Sequence, residues 1–264
     1  MSNFETLTLV TDPQDICTLT LNRPDKHNAL NAQMIRELRD AAELSDKDNG
    51  IRVVVLAATG KSFCAGGDLG WMQEQAGKDR AGKIRESSQL AMMLQELDGL
   101  SKPLIGRVQG PAYGGGVGMM SVCDIVVASR SARFALTETR LGLIPATIGP
   151  YVVRRLGEGA ARQVFMNAAM FDAERAQRLG LVSIVAGDDD LDSLVEEQAR
   201  AFLDCAPGAV ADAKALCQYL ARNPQTDQLD FTANKLADRW ESEEAQEGIR
   251  CFFAKEKPSW AKRN

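Results

Sequence analysis

The chain has 264 residues, 45% hydrophobic and 25% charged, with a formal net charge of −5 and a pI of about 5.2. This is the make-up of one soluble globular domain with a sizeable core and at most a small appended piece. The acidic balance argues against nucleic acid or an anionic membrane as the main partner. A single histidine, His27, leaves a Ser-His-Asp hydrolase or a multi-histidine metal site without the partners that would complete it. The six cysteines (Cys17, Cys64, Cys123, Cys205, Cys217, Cys251) include no CxxC pair and read as buried thiols of a reducing compartment. Residues Met1 to Thr6 carry no basic start, and no stretch approaches the roughly 18 apolar residues that span a bilayer, so a cytoplasmic protein is expected.

Leu7 to Val10 and Cys17 to Leu21 are β-rich runs separated by Asp12-Pro13, which predicts a hairpin ending at Asn22-Arg23-Pro24. From Asn31, a candidate N-cap, Met34, Ile35, Leu38, Ala41 and Ala42 recur at helical spacing until Asp48-Asn49-Gly50. Val53 to Ala58 is apolar without alternation, the pattern of a parallel strand covered on both faces. A helix over Ile84 to Leu97, a strand over Leu104 to Val108, a glycine-rich segment opening a helix near Gly116, and a strand over Ile125 to Ala128 follow. After the strand expected over Val182 to Val185, Leu191 to Trp240 reads as helical, with Pro207 and Pro224 as breaks. The expected organisation is therefore an α/β core over residues 1–190 and a helical region over 191–264.

Neither glycine-rich segment is a nucleotide loop. Gly60-Lys61-Ser62 has Val55 where a phosphate loop needs its first glycine, and Gly114-Gly115-Gly116-Val117-Gly118 has Met119 where a dinucleotide fingerprint needs its last. Cys64-Ala65-Gly66-Gly67-Asp68-Leu69 and Gly110 to Gly116 each follow a buried strand, so the two turns are expected side by side at one sheet edge. Glycine leaves a backbone N–H open to a ligand, and two such donors hold a developing oxyanion; two tight turns packed for backbone reasons are the alternative. Glu138, between an apolar strand and Leu143-Ile144-Pro145, is either a buried general acid/base with a raised pKa or a surface carboxylate paired with Arg140.

In order and spacing, Asn22-Arg23-Pro24, Phe63 to Leu69, Val108-Gln109-Gly110 to Gly116, Cys123-Asp124, Phe134 to Glu138 and Leu143-Ile144-Pro145 resemble the crotonase (enoyl-CoA hydratase/isomerase) family, over a span from about Glu5 to Trp260. The resemblance implies a crotonase-like α/β fold of ββα units in a superhelix, with a C-terminal helical trimerisation region and assembly as a homo-trimer or hexamer. It implies an acyl-CoA thioester substrate, coenzyme A being part of the substrate, with no metal or other cofactor and no nucleic-acid or membrane partner. The thioester oxygen would be held by the N–H groups of Gly67 and Gly115, with Glu138 as acid/base. Lys26, Ala65, Asp68, Leu69 and Trp71 would bind substrate, Lys26 at the nucleotide end, and Lys255 and Lys257 would reach a phosphate from the tail.

Family hydratases carry a second, earlier glutamate, and here Gly118 stands in its place. One carboxylate then performs hydration alone, or the reaction is double-bond isomerisation or another crotonase reaction. Asp68 to Met72, Gly115 to Gly118 and Ile144 to Val153 resemble the bacterial branch that hydrates branched glutaconyl-CoA esters, 3-methylglutaconyl-CoA in leucine breakdown or isohexenylglutaconyl-CoA in acyclic terpene breakdown. Such a substrate needs a cation for its distal carboxylate, and Arg140, Arg154 and Arg155 are the candidates in sequence. Met72 reads as ordinary helix packing. A CoA-ester-binding or RNA-binding homologue without chemistry is the non-enzymatic alternative; it would have lost Glu138 or the glycine turns, which this chain retains.

Overall fold

The computed structural model describes residues 4–187, 189–223 and 228–261. The predicted hairpin forms: β1 (Leu7–Thr11) pairs antiparallel with β2 (Ile16–Leu21), Leu7 opposite Leu21. Its turn is closed by Asp12, whose Oδ1 accepts from the backbone N–H groups of Gln14 at 2.8 Å and Ile16 at 3.0 Å. Helix α1 (Ala32–Lys47) starts at Asn31, whose side-chain oxygen accepts from Met34 N–H at 2.9 Å and satisfies a donor the helix cannot. The apolar residues its spacing singled out are all buried.

β3 (Val53–Ala58) is buried at every position and runs parallel to β2. Next come α2 (Leu69–Gly77), α3 (Arg80–Asp98), β4 (Leu104–Val108), β5 (Ala112–Tyr113), α4 (Gly115–Val122), β6 (Ile125–Ser129) and β7 (Arg133–Ala135). They are followed by α5 (Gly149–Leu156), α6 (Glu158–Phe165), β8 (Phe171–Asp172), α7 (Ala173–Arg178) and β9 (Ile184–Ala186). The main sheet has the order β1-β2-β3-β4-β6-β9, parallel after the first pair; a small sheet joins β5, β7 and β8.

Alternation along β3 divides two cores. Val54, Leu56 and Ala58 pack with Met34, Leu38 and Leu94 of α1 and α3. Val53 and Val55 face the other way, with Ile105 and Val127, onto Leu191, Val195, Ala199 and Leu203 of α8 (Leu191–Leu203). Beyond α8, the described residues of α9 (Pro207–Arg222), α10 (Gln228–Trp240) and α11 (Glu243–Ala254) include one buried residue, Cys251. Polar ties hold α9 to the core: Asp98, at 4% exposure, accepts from Arg154 and from Arg222 Nη2 at 2.9 Å. Lys214 Nζ donates to Asp124 Oδ2 at 2.8 Å.

Several expectations are corrected. The helix expected from Ile84 starts at Arg80, because Asp79 caps it by accepting from Gly82 N–H at 2.7 Å. The helical run does break at Pro207 as expected: α8 ends at Leu203 and Pro207 opens α9, where its missing N–H costs nothing; Pro224 lies outside the described residues. Cys205 and Cys217 are exposed, unlike the other four thiols. Among the described residues, no helix is long and apolar enough to cross a membrane.

Candidate active site

The two glycine turns meet as expected. Phe63 and Cys64 N–H donate to Pro111 O at 3.0 and 3.3 Å, and Tyr113 N–H donates to Cys64 O at 2.9 Å. A β-carbon on Gly116 would stand 2.6 Å from Cys64 O, so the turns close this tightly only around glycine. Leu30 N–H donates to Gly66 O at 2.7 Å and Leu30 O accepts from Asp68 N–H at 2.8 Å. This parallel bridge turns the N–H of the intervening Gly67 away from Leu30. Gly115 is the first residue of α4, so its N–H has no acceptor within the helix.

The small sheet brings the third segment alongside. Gly114 N–H donates to Ala135 O at 3.0 Å, and a β-carbon on Gly114, whose φ is +46°, would stand 2.9 Å from Glu138 Oε1. Gly67, Gly115 and Glu138 consequently line one cavity of about 400 Å³, a size within the usual range for small-molecule sites. Its walls are Leu30, Trp71, Met72, Leu90, Leu143, Ile144 and Ile148. Glu138 Oε2 is buried with no hydrogen-bond partner among the described residues, and burial pushes this carboxyl above the usual carboxylate range. The surface ion pair with Arg140 does not form. Backbone N–H groups at two glycines lining one cavity with a buried carboxylate are an arrangement that can hold an oxyanion beside an acid/base.

At Gly118 the space for a second carboxylate is filled. A β-carbon there would stand 2.4 Å from Ile148 Cγ2, so an apolar branched side chain occupies what the missing glutamate would have used.

The other candidates fall at different distances from the chemistry. Trp71 lines the cavity. So does Met72, whose Sδ would be 3.2 Å from a Gly67 β-carbon; it is a wall residue rather than mere packing. Asp68 holds the local fold together instead of facing the cavity. Its Oδ1 accepts from Gly70 and Trp71 N–H at 2.9 and 3.3 Å, capping α2, and its Oδ2 pairs with Arg23 Nη2 at 3.0 Å. Burial opposes its ionisation, but Arg23 and these N–H groups prevail and hold its carboxyl below the usual range. Leu69 is 84% exposed. Ala65 donates its N–H to His27 O at 3.0 Å, and Lys26 ends an exposed turn, Pro24–Lys26; neither is among the cavity-lining residues. Lys255, in a left-handed C-cap, and Lys257 are exposed.

Arg154 and Arg155 are engaged elsewhere. Arg154 binds Asp98 and sits 5.4 Å from the Tyr151 ring centre. Arg155 binds the carbonyls of Cys123, Gly180 and Leu181. Among the described residues, the cation lining the cavity is Lys83, with Ser87 and Thr147 also in the lining. Asp79, a readable N-cap three residues before Gly82, is the signal that α3 starts early enough to include it.

The family described as enoyl-CoA hydratase/isomerase matches residues 11–263. A mevalonyl-coenzyme A hydratase from Aspergillus fumigatus is 34% identical over 93% of this chain and 91% of its own. Among solved structures, an enoyl-CoA hydratase from Shewanella pealeana superposes with a TM-score of 0.94 at 37% identity, covering 97% of this chain and 96% of that one. Pseudomonas aeruginosa AtuE superposes at 0.91 with 35% identity, over 98% of this chain and all of that one (100%). The chain belongs to the enoyl-CoA hydratase/isomerase family and has the crotonase fold. It is an enzyme of the enoyl-CoA hydratase type.

Proposed function

We propose that the protein hydrates the α,β double bond of a branched glutaconyl-CoA ester, 3-methylglutaconyl-CoA or isohexenylglutaconyl-CoA, with Glu138 as its single acid/base. The observation that carries the reading is Glu138 itself: a buried carboxylate oxygen without a partner, in one cavity with Gly67 and Gly115, where Ile148 fills the place of any second carboxylate. Glu138 takes a proton from water as the oxygen adds at Cβ. The N–H groups of Gly67 and Gly115 hold the enolate oxygen, and the protonated Glu138 returns its proton to Cα on the same face. Addition is therefore syn. Leu143, Ile144, Trp71 and the adaptable thioether of Met72 suit a branched apolar tail, and the similarity to a hydratase named for mevalonyl-CoA, itself a branched acyl group, supports branching at the reacting end.

The reading places the enzyme in the cytoplasm as a trimer or hexamer, with Lys26 and the tail lysines at the nucleotide and coenzyme A bringing the only carrier group required. The test is product analysis in heavy-oxygen, deuterated water across crotonyl-, methylglutaconyl- and isohexenylglutaconyl-CoA. Heavy oxygen at Cβ with stereospecific deuterium at Cα on a glutaconyl ester is expected. A shifted double bond without added oxygen would replace hydration by isomerisation.

A further inference from the structure

The acyl cavity does not end at its apolar wall. Lys83, Ser87, Ala146 and Thr147 border it and also border an open surface groove, whose remaining lining includes Arg80 and Ser88. Lys83 and Ser87 stand four residues apart on α3 and so share one helix face. Among the described residues, the groove's lining holds two cations and three hydroxyls and no carboxylate. The acids nearest in sequence are occupied: Asp79 caps α3 and Glu86 accepts from Lys78 Nζ at 2.8 Å. Neither Lys83 nor Arg80 forms a side-chain ion pair among the described residues, whereas Lys78 nearby is paired with Glu86. An apolar cavity that shares its rim with a cationic surface groove suits a ligand that is apolar near the reacting carbons and anionic beyond them.

We infer that Lys83, on the rim shared by the cavity and the groove with Ser87 and Thr147, receives the distal carboxylate of the acyl chain, and that Arg80 supplies the second charge. The assignment moves this role away from Arg140, Arg154 and Arg155. It makes Lys83 a specificity determinant, and it rests on the glutaconyl reading above. Because the ammonium is open to solvent before substrate arrives, its effect is bounded by that of a charge-assisted hydrogen bond, about tenfold in affinity.

The experiment measures calorimetric binding of two unreactive saturated esters, glutaryl-CoA and butyryl-CoA, to the full chain and to Lys83→Met and Lys83→Arg. The unaltered protein is expected to prefer glutaryl-CoA by about tenfold. Lys83→Met should abolish that preference through glutaryl-CoA alone, and Lys83→Arg should keep most of it. A preference that survives Lys83→Met, or an equal loss for both esters, overturns the assignment. Hydration assays on the same proteins separate this inference from the reading beneath it. Turnover of methylglutaconyl-CoA with a KM indifferent to Lys83→Met removes the role of Lys83 and leaves the function standing. A Lys83-dependent preference for glutaryl-CoA in a protein that hydrates no glutaconyl ester upholds the site and removes the proposed substrate.

Discussion

At Glu138 a carboxylate oxygen lies buried with nothing to bond, an arrangement that costs stability and serves chemistry. Burial holds this carboxyl above its ordinary value, so over the interval between the two the native chain keeps a proton that the unfolded chain has released. Stability must then fall as pH rises through that interval. Glu138→Gln has no proton to lose and escapes this decline. Thermal unfolding should show a Tm advantage for the variant that is larger at pH 8 than at pH 5, and an advantage independent of pH would contradict the buried, unpaired state. The same group sets the acid limb of activity. As base it must be ionised, so kcat/KM should fall with decreasing pH through a value above the usual glutamate range.

Among the elements, α4 and the segment before α5 are matched at one point, where Gly118 leaves room for Ile148. Gly118→Ala forces its β-carbon into Ile148, and overpacking of this kind costs about 1–3 kcal/mol. Ile148→Ala clears the space, so in urea unfolding the double variant should be less destabilised than the sum of the two singles; strict additivity would show that the two do not touch. This pairing separates what is legible in the sequence from what is not. Gly118 is readable as a departure, but Ile148 as the side chain that fills its place is not, because their contact joins segments well apart in the chain. The strands fare better: Val53 to Ala58 is apolar at every position because helices cover both faces, and that pattern is local. The glycine turns are readable for the same reason, their positive φ at Gly66 and Gly114 being a demand made at single residues. Lys83 escapes a reading of the sequence because its companions Ala146 and Thr147 come from a distant loop, and Asp68 reads as a substrate contact because only the fold brings Arg23 to it.

In the whole molecule, the C-terminal helices leave apolar surface uncovered. Trp240 is 61% exposed and Leu229 and Leu236 also lie open on α10, with Phe252 and Phe253 on α11. Leu229, Leu236 and Trp240 recur at helical spacing on one face of α10, and an exposed apolar face of this kind supports the proposed assembly through this region. Replacing Trp240 with glutamate should lower the mass seen in sedimentation while leaving far-ultraviolet circular dichroism unchanged; a folded monomer for the unaltered chain would count against the assembly. The exposed Phe252 and Phe253 lie within five residues of Lys255 and Lys257 in the chain, so a partner docked there would draw the tail lysines toward an interface, where the resemblance expects a phosphate.

The central claim is that one carboxylate performs the whole proton cycle, and Glu138→Gln tests it most directly. The substitution keeps size and hydrogen bonding but cannot accept a proton, so binding of glutaryl-CoA should persist while hydration of methylglutaconyl-CoA falls by about 10²–10⁴-fold. Near-normal turnover in a folded Glu138→Gln protein would contradict the account and require a base elsewhere in the chain.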